Sequence, residues 1–260
     1  MTTKVRGVQS IEVASRLLSV FLDTTRPLRL RDLSEGSGLP SAQIHAYMVS
    51  FQALGMVELD LEKHLYRLGP AARELGLARM HQLDPLSLAF TGATNLARNS
   101  GFSVLVAVWG SFGPTVLYVP EGRVQLNMNT RAGTVYAVTG TATGMVFAAY
   151  LPEQTIRRAI LAERRENKHR MRVGLSKPFN AVKPMLEDVR RQGYAMTVDN
   201  PIPGIAAMGS PIFDFTGQLR AVVTMIGATA DFSDPVRQAA LEQLTAVTSG
   251  LSHQLGFVSA

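Results

Sequence analysis

The sequence predicts an α+β protein of two domains: a small N-terminal winged helix-turn-helix and a larger C-terminal antiparallel sheet with flanking helices. Three observations predict it. Over residues 28–69 two helical patterns meet at Gly38-Leu39-Pro40-Ser41 and are followed by two short strand-like runs. From Phe102 onward the texture changes to short β-branched runs in hairpins, with helices interspersed. The 260 residues, 46% hydrophobic and 18% charged, suffice for two cores and exclude a disordered chain.

Residues 10–23 read as a first helix with Ile11, Ala14, Leu17, Leu18, Phe21 and Leu22 on one face. Residues 24–27 end it, because the residue before a proline is biased away from the α region. Leu30 and Leu33 belong to a second helix. Gly38 can take positive φ where that helix stops, Pro40 suits an extended residue, and the Ser41 hydroxyl can cap the next helix. There Ile44, Tyr47, Met48, Phe51 and Leu54 form one apolar stripe, while Ala42, Gln43, His45, Ala46 and Ser50 lie opposite. Residues 56–59 and 65–68 make a wing around the polar tip 60–64.

Small and amide side chains at the exposed start of a second helix suit insertion into a major groove. Ser41, Ala42, Gln43 and His45 are the candidate contacts there. No Lys or Arg lies between Ser41 and Gly55, so phosphate contacts fall to Arg29, Arg31, Lys63 and Arg67, with Lys4 or Arg6 from the N-terminal arm. The apolar stripe alone fits equally well a three-helix unit that touches no DNA. Charge does not decide between them. Residues 1–79 hold 10 Lys+Arg against 8 Asp+Glu, and residues 80–260 hold 16 against 12, so the basic excess is not concentrated on the head.

Pro70 suits a first helical turn and starts a helix towards Gln82, with Leu75, Leu77, Ala78 and Met80 as apolar positions. Asp84-Pro85 breaks it, and a second helix runs to about Asn99, closed by Gly101. This pair reads as the connection between the domains. Strands follow at 103–109, 115–119 and 124–130. Helices come at 140–150, 153–162 and 178–192, then strands at 194–198, 205–213 and 219–226. Ser233 caps a final helix to about Leu255.

The absence of cysteine excludes disulfides, thiolate nucleophiles and Cys-based zinc sites. Five scattered histidines have no spacing for a metal, and nothing calls for a cofactor. Gly209-Ser210-Pro211 is not a nucleophile elbow, and no phosphate-binding loop occurs. Lys4, Arg6, Gln9 and Glu12 interrupt any signal-peptide core, and no apolar run approaches the ~20 residues of a membrane helix. The expectation is a soluble, cytoplasmic protein. The basic run 163–172 reads as a solvated face or an oligomer surface.

The chain resembles the IclR-type bacterial transcriptional regulators over nearly its full length. The resemblance rests on Leu54-Gly55-Met56-Val57-Glu58, on Tyr66-Arg67-Leu68-Gly69, and on Ala142-Thr143-Gly144 leading to Phe147-Ala148-Ala149-Tyr150-Leu151-Pro152. It continues through Arg190-Arg191-Gln192-Gly193-Tyr194-Ala195 and the stretch from Gly204 to Asp214. It implies a winged helix-turn-helix over 1–69, a linker helix over 70–84, and a GAF-like effector-binding and oligomerisation domain over 85–260. It also implies a homodimer or dimer of dimers on double-stranded operator DNA, controlled by a small organic acid. The family's mid-helix Arg is Ala46 here, its Pro-Leu-His is Ala137-Val138-Thr139, and the Lys after the helix glycine is Met145.

Residues 139–144 pass from an extended approach into a helix start, where free N–H groups and the positive end of the helix dipole favour an anion. The expected effector site is therefore Thr139, Thr141, Ala142 and Thr143. Strands that the resemblance places opposite add Ala207, Met208, Thr224 and Ile226, with Tyr136 near the mouth and Asp199 at a strand end. Such a lining suits a small carboxylate with an apolar, aromatic body. Two alternatives stand beside this: a ligand-sensing module that works through a protein partner, and an enzyme built on the C-terminal domain.

Overall fold

The structure, a computed structural model, describes residues 7–22, 24, 26–120, 130–165 and 172–258. Lys4, Arg6, residues 124–129 of the expected third strand and residues 166–171 of the basic run lie outside the described residues, as does the side chain of Met80. The chain divides into two compact units, Met1–Gln82 and Leu83–Ala260.

The first unit contains α1 (Gln9–Ser19), α2 (Leu30–Ser37), α3 (Ser41–Ala53), β1 (Val57–Asp60), β2 (Leu65–Leu68) and α4 (Pro70–His81). Its core gathers Val13, Leu17, Leu33, Ile44, Met48, Phe51, Val57 and Tyr66. Three expectations about these helices are corrected. Ile11 is 66% exposed, because it lies two positions, about 200°, from buried Val13. Leu22 and Leu54 are exposed because α1 and α3 end before them. Ser41 does not cap α3. The N-cap is Pro40, which has no hydroxyl to offer, and the turn is instead held by Ser34 Oγ donating to Leu39 O at 2.7 Å. Gly38 does stop α2 in the left-handed region, at φ 68°.

β1 and β2 pair antiparallel, with Glu58 opposite Arg67. Asp60 Oδ1 accepts from the N–H groups of Glu62 and Lys63, which closes the wing tip, and His64 completes the turn at φ 52°. Tyr66 also bridges back to Leu28, so the wing is anchored to the chain that precedes α2.

The second unit starts with α5 (Pro85–Ser100), capped by Asp84 accepting from Leu86 N–H and the Ser87 hydroxyl. Next come β3 (Ser103–Gly110), β4 (Gly113–Tyr118), β5 (Val135–Tyr136), α6 (Ala142–Tyr150), α7 (Glu153–Arg165) and β6 (Arg172–Val173). The chain ends with α8 (Phe179–Gln192), β7 (Ala195–Val198), β8 (Ile205–Phe213), β9 (Leu219–Ala228) and α9 (Asp234–Gln254). The seven strands lie in the order β6-β5-β4-β3-β9-β8-β7. Every pairing is antiparallel except β5 with β6, a parallel edge pair whose two-residue strands carry too little pattern to read. Ser233 stands at the N-cap of α9, but its hydroxyl makes no capping bond.

Helices cover both faces. α6, α7 and α8 pack on one side with Leu105, Ala107, Val222 and Ile226 of the sheet. α5 and α9 pack on the other with Val104, Val106, Met208, Val223 and Met225. The period-2 alternation of each strand assigns its residues to one layer or the other. α5 is thus a core helix of the second unit, seated through Ala89, Ala93 and Ala97, which are small enough for close approach.

α6 is buried all round, from Ala142 to Ala149. Its approach depends on missing side chains: a Cβ on Gly144 would overlap the carbonyl oxygens of Ala137 and Val138. A Cβ on Gly250, inside α9, meets nothing. We expect Gly144→Ala to destabilise the second unit by about 2–3 kcal/mol. Gly250→Ala should stabilise it by about 0.5–1 kcal/mol through helix propensity. Urea unfolding followed by the single tryptophan, Trp109 on β3, reports on this unit and checks both signs.

Candidate functional site

The first candidate surface is the outer side of α3. Ser41, Ala42, Gln43 and His45 are all exposed, on the side away from buried Ile44, Met48 and Phe51. Val49 is 54% exposed on the same helix and was missed, because an apolar residue was sought only in the core stripe. Exposed apolar groups of this size suit the methyl group of thymine. Arg29, Arg31, Lys63 and Arg67 are exposed as well. Arg31 pairs with Glu35 at 2.7 Å and Arg67 with Glu58 at 2.9 Å, surface pairs of little net worth that a phosphate can displace. Arg29 and Lys63 make no ion pair among the described residues.

The second candidate is a narrow cavity of about 30 Å³ between the start of α6, β5 to β9 and the loop after β7. Tyr136, Thr141, Ala142, Thr143, Ala207, Thr224 and Ile226 line it, so the structure brings together seven of the residues singled out from the sequence. Thr141 caps α6, accepting from Gly144 N–H and donating to Ala137 O, both at 3.0 Å. The Thr143 and Thr224 hydroxyls bond each other at 2.8 Å. Among the described residues nothing accepts from the N–H of Ala142 or Thr143, the first two groups of the helix. Among the described residues no charged side chain lines the cavity. The Tyr136 phenol, buried and bonded to Thr130 at 3.0 Å, is pushed up to about 12 by burial, against a smaller opposing effect of that hydrogen bond.

Three expected residues do not line it. Met208 turns to the opposite layer, one position out of phase with Ala207, and packs beneath α5 and α9. Thr139 is buried, but its hydroxyl donates to Lys177 O and its N–H to Ser176 Oγ, so it holds the segment after β6. Asp199, at φ 52°, accepts from Gly204 N–H and the Thr229 hydroxyl and shapes the loop whose Asn200, Pro201 and Ile202 close the cavity. Val173, Thr197 and Ile205 also line it and were not foreseen. The basic run is corrected too. Glu163 is only 3% exposed and accepts from Ser176 N–H and Oγ, with Arg172 beside it at 3.3 Å, so both ends of that run are built into the fold.

A wider, more open groove lies between the ends of α6, α8 and α9, with Tyr150, Phe213 and Phe257 as its aromatic wall. Its buried hydroxyls already satisfy one another: Ser210 bonds Thr248 at 2.8 Å, and Ser252 donates to Thr248 O. The α6 cavity is smaller, yet it is the one that presents unsatisfied donors.

The family model for the C-terminal part of the bacterial transcriptional regulator IclR matches residues 79–253, and the IclR helix-turn-helix model matches residues 10–61. The chain belongs to the IclR family. Regulators of this family bind operator DNA and small-molecule effectors, and an IclR-family chain of this kind is a transcriptional regulator. Among its relatives is the HTH-type transcriptional regulator XynR of Escherichia coli, 24% identical over 96% of this chain and 98% of that one. The glycerol operon regulatory protein of Streptomyces coelicolor is 29% identical over 86% of this chain and 85% of that one. The crystal structure of Pseudomonas aeruginosa HmgR superposes with a TM-score of 0.86 at 29% identity, covering 97% of this chain and all of that one. None of the described helices of this IclR-family chain is long and apolar enough to cross a membrane.

The raised Tyr136 phenol has a consequence for stability. Its proton leaves the unfolded chain near pH 10 but the folded protein near 12, so the folded state is the more protonated between these values and stability falls as pH rises. The loss should reach roughly 2 kcal/mol by pH 12. Tyr136→Phe should lack this component in urea unfolding between pH 9 and 12. An identical alkaline decline in both proteins would contradict it.

Proposed function

We propose that this IclR-family regulator reads its operator through Gln43 and His45 of α3, with Ser41, Ala42 and Val49 beside them, and holds the backbone through Arg29, Arg31, Lys63 and Arg67. Gln43 can bond adenine in bidentate fashion, and its exposure at the start of α3 supports this role. Gln43→Ala should therefore cost about 1–3 kcal/mol on operator DNA and little on scrambled DNA. Lys63→Ala should weaken both alike and lower the salt slope by about 1. Equal losses on both DNAs for Gln43→Ala, read by fluorescence anisotropy, would make that residue a backbone contact instead.

The effector reading is a small carboxylate with an apolar, aromatic body, held in the α6 cavity and controlling operator binding. The observation that carries it is that, among the described residues, nothing accepts from the N–H groups of Ala142 and Thr143, two buried residues at the positive end of a helix that line this cavity. Among the described residues no lysine or arginine lines the cavity, so the anion relies there on these N–H groups and the helix dipole. A ligand that binds only the folded protein raises its melting temperature. Screening aromatic and short aliphatic acids by thermal shift should thus find acids that stabilise the protein and also change its affinity for the operator. Ala142→Pro keeps the helix, since proline suits its first position, and deletes one donor. It should weaken such an acid by about 1–2 kcal/mol. Unchanged affinity in that variant would move the effector elsewhere.

We further propose a homodimer, or a dimer of such dimers, on two half-sites spaced by whole helical turns, the geometry that two linked heads require. The apolar side chains of α4 support it: Leu75 and Leu77 are 62% and 45% exposed, and a Cβ on Gly76 between them would meet nothing. Light scattering at micromolar concentration should give at least twice the 28.2 kDa chain mass. A monomer that still binds operator tightly would contradict the dimer.

A further inference from the structure

The α6 cavity contains one polar atom for which the fold has no use. The hydroxyl oxygen of Thr197 is buried and has no hydrogen-bond partner among the described residues. The other threonines around the cavity are engaged: Thr141 with Ala137 O and Gly144 N–H, Thr143 with Thr224, and Thr139 with Lys177 O. A buried hydroxyl that has given up water and gained no partner is unfavourable, and such groups in native proteins call for an explanation. Valine would fill the same volume on a β-strand without that cost. Burial of the sheet does not require a hydroxyl here.

Register places this hydroxyl at the end of the cavity remote from β9. Thr197 pairs with Ala207, and Ala207 pairs with Ile226, so the three form a row across β7, β8 and β9, and all three line the cavity. With strands about 4.8 Å apart, Thr197 stands roughly 10 Å from β9. The start of α6 lies over β8 and β9, with Gly209 beneath Ala142 and Thr143 bonded to Thr224. Two unbonded polar groups of the lining residues are therefore the N–H groups of α6 and the hydroxyl of β7. Ala207 and Ile226 form the apolar floor beside them, with Ile205 one row further along β8. Among the described residues no cation lines either end.

We propose that Thr197 is a specificity-determining residue, hydrogen-bonding a second, uncharged polar group of the effector. This rests on the reading that the effector's carboxylate sits at the start of α6. The ligand class narrows accordingly, to monocarboxylic acids with a hydroxyl or carbonyl at the far end of an apolar spacer. A second carboxylate is disfavoured, because the Thr197 end offers no charge to balance it. The threonine hydroxyl can donate or accept, so it serves either group.

The test uses the full-length protein, titration calorimetry and three matched pairs: benzoate with 4-hydroxybenzoate, phenylacetate with 4-hydroxyphenylacetate, and hexanoate with 6-hydroxyhexanoate. In at least one pair the hydroxylated acid should bind about tenfold more tightly than its parent, since a site with a buried polar group discriminates against an analogue that leaves it unpaired. Thr197→Val should abolish that ratio while leaving the parent's affinity unchanged, and Thr197→Ser should retain it. Ala142→Pro should weaken both members alike. A preference that survives Thr197→Val, or pairs that bind without any preference, overturns the role of Thr197 while the α6 reading stands. Binding indifferent to Ala142→Pro overturns the α6 reading, and binding of none of the six acids overturns both.

Discussion

The seating of the α6 start against the sheet is the constraint on which the C-terminal unit depends. A helix can come this close only where side chains are missing. Gly144 lies against the carbonyls of Ala137 and Val138, and Gly140 against that of Leu175. Gly209 stands under the first turn, where a Cβ would come to 3.3 Å from Ala142 O. The Thr143–Thr224 hydroxyl bond then joins helix to strand. Because the first turn is buried by this approach, its N–H groups are cut off from water. A helix start on the surface would have water for them; this one faces an apolar cavity instead.

The walls around that start hang from polar clamps, of which Glu163, Thr139 and Asp199 lie outside the cavity itself. Glu163, reaching in from α7, accepts from Val138 N–H and from both donors of Ser176, and so ties the approach to α6 to the segment after β6. Thr139 adds two bonds to the same segment. On the opposite side Asp199 gathers Gly204 N–H and the Thr229 hydroxyl, while Asn200 Nδ2 donates to Gly140 O. Removing one partner from the buried Glu163 cluster leaves the other unsatisfied, which is costlier than the bond's net worth. Residues that never touch a ligand thus fix the cavity's shape.

How legible all this was depends on the range of the interaction. The helix-turn-helix was readable because its signals are local: a stripe at helical spacing, Gly38 at positive φ, and a polar tip between two short strands. The start of α6 was readable for the same reason, since a threonine before a glycine-rich apolar run is a capping pattern. What failed was phase and long range. Met208 was assigned to the cavity although Ala207 beside it already fixed the face, and a strand can offer only one of two neighbours to one side. Thr139 and Asp199 do not line the cavity and hold other segments, through partners 38 and 30 residues away. Thr197 was invisible for a different reason. Its significance lies in a hydrogen bond that is not made, and sequence patterns report the groups present rather than their satisfaction.

The central claim, that the start of α6 receives the effector, is tested most directly by amide hydrogen exchange. An acid that alters operator binding should slow exchange across residues 137–149, because the N–H groups of Ala142 and Thr143 acquire an acceptor they otherwise lack. Unchanged exchange there, with protection appearing instead along the groove formed by Tyr150, Phe213 and Phe257, would contradict it.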